Sequence, residues 1–257
     1  MSPHRGELHI VPDGGGFAEA GAALIAQACA LAPGRAIIGL AGGSTPKPIY
    51  QALASPPFRA QIPWARTEFV LGDERFVAPD DPDANIQMIR TAMAGAPNPL
   101  LHPVPFAGMR VDQAAQAYEA QLQSLYGAKA LDPARPFFDL CLLGMGDDGH
   151  TASLLPNQPS LLEERTRWAL PVTEGRPEAR VTLTYPVLES ARCVVFIVAG
   201  ASKRAMLDAI LSGADQTAPA ARLHPQGRLI WLVDREAAGR WAASPALAKS
   251  VGIHPQN

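Results

Sequence analysis

Charge of neither sign dominates this chain. Its 22 Lys and Arg face 24 Asp and Glu over 257 residues, for a formal net charge of -2. A balance so near neutral gives no electrostatic reason to expect nucleic acid or an anionic membrane as a partner, so any anion must be bound by a local site. Cysteine is also scarce. Cys29, Cys141 and Cys193 are odd in number and lie inside apolar segments without metal-like spacing. They read as reduced core thiols of a cytoplasmic protein, and zinc is not expected. No apolar run reaches the length of a spanning helix, and Met1 to Ile10 lacks the continuous apolar stretch of a secretory signal. Without an internal repeat, a low-complexity tract or a linker long enough to force a boundary, one domain over residues 1–257 is expected.

What the chain does have is apolar material, 47% of its residues, enough for a sizeable core. Short apolar runs alternate with helical spacing. Strands are expected at Glu7–Val11, Ala36–Leu40, Thr67–Leu71, Phe137–Gly144, Trp168–Val172, Arg180–Thr184, Cys193–Val198 and Leu229–Val233, with one more inside Pro97–Pro105. Helices are expected at Phe17–Ala32, after Pro46, at Ala84–Met93, at Asp112–Leu125 with Asp112 as its cap, at Pro186–Ala191, after Lys203 and at Arg235–Ala242. Asp13 to Gly16 reads as a turn. This alternation predicts an α/β fold, a Rossmann-like, doubly wound, mainly parallel sheet with helices on both faces.

In such a sheet the strand tips carry the chemistry, because ligands bind in the crevice beyond the carboxyl ends. Four tips are polar: Gly42 to Pro46, Gly72 to Arg75, Gly144 to Thr151 and Gly200 to Lys203. With right-handed crossovers they all point the same way and can converge. The first offers two glycines, Ser44 and Thr45 before a helix, a cradle for an oxyanion or an ordinary capped helix start. It is not a Walker loop. Lys203 sits at a helix start, where the dipole disfavours a cation unless an anion is near. Arg180 could fork onto phosphate or pair with Glu178 or Glu174.

Gly144 to Gly149 fits G-x-G-x-x-G. However, Asp147 and Asp148 would oppose a pyrophosphate, and no acid follows where ribose recognition requires one, so no dinucleotide is expected. That leaves His150 among acids in a flexible loop, the side chain best suited to move protons near neutrality. Asp148 or, through space, Asp73 could orient it. His4, His9, His102, His224 and His254 have no comparable setting. Asp80, Asp81 and Asp83 form no calcium-type ladder, Asp83 reads as a helix cap, and no metal site is expected.

The segments GLAGGSTP (39–46), LGDERFV (71–77) with DDPDAN (80–85), LLGMGDDGHTASLLP (142–156), RVTLT (180–184) and VAGASKRAML (198–207) together resemble the 6-phosphogluconolactonase family, within a superfamily that includes glucosamine-6-phosphate deaminase and isomerase. The resemblance runs across nearly the whole chain. It implies a cytoplasmic, cofactor- and metal-independent hydrolase of the oxidative pentose phosphate pathway acting on 6-phosphoglucono-δ-lactone. It implies too that Gly43, Ser44, Thr45, Arg180 and Lys203 hold phosphate, that Arg75 and Asp73 lie by the substrate, and that His150 is the base with Asp148 behind it. Deaminases that this loop resembles carry a glutamate where this chain has Leu155, and read DEY at Asp73-Glu74-Arg75. A non-catalytic sugar-phosphate sensor would be expected to add a partner segment, and none is visible before Glu7 or after Trp241. The assembly is expected to be a monomer or a small homo-oligomer.

Overall fold

The computed structural model describes residues 6–12 and 14–243; Asp13, His4 and His254, mentioned above, lie outside the described residues. The strands are β1 (Glu7–Val11), β2 (Ala36–Leu40), β3 (Thr67–Leu71), β4 (Asp73–Arg75), β5 (Leu100–His102), β6 (Leu140–Gly144), β7 (Ala169–Val172), β8 (Arg180–Leu183), β9 (Cys193–Val198) and β10 (Arg228–Asp234). The helices are α1 (Gly14–Leu31), α2 (Lys47–Leu53), α3 (Asn85–Ala92), α4 (Val111–Tyr126), α5 (Pro159–Leu162), α6 (Tyr185–Glu189), α7 (Arg204–Ser212), α8 (Pro219–Arg222) and α9 (Arg235–Ala238).

Seven strands form one sheet in the order β1-β10-β9-β6-β2-β3-β5, with every pairing parallel. Both faces are buried, as the unbroken apolar strands require. Along β6 and β9 successive side chains go to opposite sides: Cys141, Leu143, Val194 and Phe196 join one core cluster, and Leu140, Leu142, Val195 and Ile197 the other. Phe196 stacks on Trp231 of β10 in the first, and α1 and α2 cover the second. The chain winds outward from β2 to β3 and β5, then from β6 to β9 and β10, so the reversal falls between the neighbours β2 and β6.

A second sheet, β4-β8-β7, is antiparallel and was not expected. Asp73 to Arg75 were read as the loop after β3; they pair instead with Thr182, Val181 and Arg180. Two other local readings need correction. Gly14 to Gly16, expected in a turn, are instead the first residues of α1. Asp112 does not cap α4: Arg110 holds the N-cap position, its amide donates to Gln113 Oε1 at 2.9 Å, and its guanidinium pairs with Asp112 in the first turn. Among the described residues no helix is long and apolar enough to cross a membrane.

Candidate active site

The four polar tips follow β2, β3, β6 and β9, which are the adjacent inner strands of the large sheet. Their loops therefore meet along one edge, at the reversal of strand order. Between them lies a cleft of about 320 Å³. Gly43, Ser44 and Thr45 line it from the first tip, Asp73 and Arg75 from the second, His150 from the third and Lys203 from the fourth, with Arg180 contributed by β8. Of the residues singled out in the sequence, Asp148 alone stands outside the lining, behind His150.

At the first tip the backbone is held from below. Tyr50 of α2 is buried and donates its hydroxyl to the Ala41 carbonyl at 2.8 Å. Gly43 adopts φ +94°, the left-handed region that favours glycine. Neither Ser44 nor Thr45 caps α2, contrary to that sequence reading. The N-cap position belongs to Pro46, with no side-chain cap bond. Ser44 is exposed and Thr45 half-buried, and both residues line the cleft.

The second tip is built around carboxylates. Asp73 is buried and accepts the Ser153 hydroxyl at 2.6 Å on Oδ2, with the Arg180 guanidinium 3.7 Å away. Asp73 is thus committed to Ser153 and Arg180 and does not orient His150. Arg180 pairs here, not with Glu178 or Glu174; burial pulls its pKa down, and the Asp73 charge partly offsets that. Its Nε is buried without a hydrogen-bond partner among the described residues. Arg75 donates Nη1 to the Asp83 carbonyl at 2.5 Å.

Glu74, between them, was given no role in the sequence. Its carboxylate accepts the Arg75 amide at 2.8 Å, the Asn85 amide at 2.7 Å and the Ile86 amide at 2.8 Å. It therefore caps α3 from eleven residues upstream, in the place expected of Asp83. Burial pushes its carboxyl up to about 7, against the pull of those amides. Asn85, also overlooked, donates Nδ2 to the Asp73 carbonyl at 3.0 Å and lines the cleft. The only earlier hint of it was its place at the end of the DDPDAN segment.

At the third tip a tight turn closes when the Gly146 amide donates to the His150 carbonyl at 2.9 Å. Asp148 Oδ1 accepts the His150 amide at 3.1 Å and lies 2.5 Å from ring Nδ1. Partial burial raises the Asp148 carboxyl, but the bonds from His150 and the Arg176 guanidinium outweigh it and hold the pKa below the ordinary carboxylate value. With Nδ1 facing Asp148, Nε2 is the ring nitrogen left for a reacting proton. At the fourth tip the Gly200 amide is tied to Asp234 at 2.9 Å. Lys203 follows at the end of a short 3-10 turn, as the N-cap of α7. Its ammonium is in no ion pair among the described residues.

Residues 13–231 match the family described as glucosamine-6-phosphate isomerases/6-phosphogluconolactonase. The chain belongs to this family. The 6-phosphogluconolactonase of Synechocystis sp. is 44% identical over 209 residues, 79% of this chain and 84% of that protein. The human 6-phosphogluconolactonase is 35% identical over 256 residues, 95% of this chain and 96% of that one. Among solved structures, the 6-phosphogluconolactonase from Trypanosoma brucei superposes with a TM-score of 0.77 at 29% identity, covering 91% of this chain and 98% of that one. A monomeric glucosamine-6-phosphate deaminase, at 20% identity and a TM-score of 0.75 over 90% of this chain and 98% of its own, shares the fold of the family.

Proposed function

We propose that this protein is a 6-phosphogluconolactonase, hydrolysing 6-phosphoglucono-δ-lactone to 6-phosphogluconate. The observation that carries the reading is one cleft lined both by a carboxylate-anchored imidazole, His150, and by the cradle of Gly43, Ser44, Thr45 and Lys203. In a protein of nearly neutral charge, a pocket holding Arg75, Arg180 and Lys203 is a local anion site. The cradle amides, the two hydroxyls, Lys203 and Arg180 take the phosphate. The unpaired Arg180 Nε supports that role, since a buried donor is costly unless an oxygen reaches it.

The chemistry then asks for proton transfer at one end of the sugar. His150 Nε2 takes a proton from water, whose oxygen attacks the lactone carbonyl, while Asp148 holds the ring in the tautomer that leaves Nε2 free. The imidazolium returns that proton to the departing ring oxygen. Arg75 stands in the lining as a donor to the oxyanion. The deaminase alternative is disfavoured at Leu155, which is buried and apolar where a ring-opening carboxyl would be needed. The reading carries a cytoplasmic location, supported by three buried free thiols. It also treats residues 1–257 as one lactonase domain, supported by a sheet whose strands come from both ends of the described chain.

The test is acid release from 6-phosphogluconolactone beside ammonia release from glucosamine 6-phosphate. Lactone turnover is expected, and His150→Asn folds normally yet loses about 10²-fold or more of it. Near wild-type turnover by that variant rejects His150 as the base. Ammonia release, or ligand binding without any turnover, rejects the lactonase reading.

A further inference from the structure

Beside the cleft runs a more open groove of about 450 Å³, and the two share Arg75, His150 and Arg180. The groove adds Arg176, which no step above uses. Arg176 Nη2 lies 2.9 Å from His150 Nδ1 and 3.5 Å from Nε2, and 3.5 Å from Asp148 Oδ2. With both ring nitrogens within 3.5 Å of Nη2, the guanidinium lies against the imidazole rather than beyond one edge of it, while Asp148 keeps the shorter contact to Nδ1. Asp148 is the counter-charge on the Nδ1 side of the ring. Once His150 accepts a proton, two cations are in contact and repel.

At that same moment negative charge appears close by. In the lactonase reading, a water proton passes to Nε2 as the water oxygen bonds to C1, and the carbonyl electron pair moves onto oxygen. When the oxyanion re-forms the carbonyl, the bond from C1 to the ring oxygen breaks and that oxygen takes the imidazolium proton. The resulting carboxylic acid loses its proton to solvent and leaves a carboxylate. Repulsion from the imidazolium and attraction to C1 oxygen therefore move a guanidinium in one direction. Arg176 is the cation already touching the ring, and its side chain is partly exposed, so it can make that short move.

We propose that Arg176 is a binding residue for the C1 oxygens, leaving the imidazole to pair with the tetrahedral oxyanion and then with the product carboxylate. The site is a carboxylate subsite for a phosphosugar acid, at the opposite end of the ligand from its phosphate. The inference rests on the lactonase reading.

Two ligands of the same length separate these ideas: 6-phosphogluconate, and glucitol 6-phosphate, which carries CH2OH in place of the carboxylate. The wild-type protein is expected to bind 6-phosphogluconate about tenfold to a hundredfold more tightly, the range of a charge-assisted bond. Arg176→Gln is expected to lose most of that preference while binding glucitol 6-phosphate as before, and to lower kcat for the lactone. Arg176→Lys should restore part of both, which a scaffolding role would not do. An unchanged preference in Arg176→Gln, or none in the wild type, overturns the proposal while lactone turnover leaves the parent reading standing. Absence of lactone turnover together with no binding of either ligand overturns both.

Discussion

Gly42 offers the sharpest test of how the cleft is held in shape. A methyl group added there would lie 2.1 Å from Asn85 Oδ1, 2.3 Å from its Cγ and 2.4 Å from its Nδ2. All three atoms belong to the Asn85 amide head, and the Asn85 backbone cannot yield easily because Glu74 holds its amide at 2.7 Å. The side chain must therefore rotate away and give up its bond to the Asp73 carbonyl. Asn85 is buried, so Gly42→Ala combines overpacking, about 1–3 kcal/mol, with a lost buried hydrogen bond, about 1–3 kcal/mol. A total of about 2–6 kcal/mol is expected, read as a lower midpoint in urea unfolding at unchanged slope.

The cause can be isolated with Asn85→Ala. Alone it should cost about 1–2 kcal/mol for the lost bond and vacated space. In the double variant the added methyl meets no amide head, so the total should stay close to that of Asn85→Ala. The cycle then shows a coupling as large as the cost of Gly42→Ala alone, about 2–6 kcal/mol. Additivity within about 0.5 kcal/mol would refute the reasoning, because it would mean that Gly42 is not making room for Asn85.

Two further outcomes follow from other parts of the site. Burial raises the Glu74 carboxyl from 4.5 to about 7, so the fold favours its protonated form. That contribution to stability is complete below the unfolded value and is lost as pH rises through about 7. The stability of the wild type relative to Glu74→Gln should fall by about 3 kcal/mol across that interval. Urea midpoints of the two proteins compared at about pH 5 and about pH 8 check it, and a constant difference would contradict the assignment. If Lys203 grips phosphate, Lys203→Ala narrows the preference for phosphorylated over plain gluconolactone by about tenfold to a hundredfold; an unchanged ratio of kcat/KM values places the phosphate elsewhere.

Local letters determined a great deal here. An apolar run ending in glycines and acids, as at Leu140 to His150, identifies a buried strand and a polar tip because side-chain period and turn chemistry are properties of adjacent residues. For that reason β2, β3, β6 and β9 and the four tips were legible, and so was the partnership of Asp148 with His150, two residues apart. Contacts between distant segments were not. Asp73 went to Ser153 and Arg180, eighty and more residues away. Glu74 capped α3 in place of Asp83, and Arg176 settled on the imidazole from a loop 26 residues downstream. Pairing of β4 with β8, which sets Arg75 opposite Arg180, likewise depends on how the chain returns across the sheet edge. Hydrogen bonds and ion pairs of this kind depend on distance in space, which only the packed chain supplies.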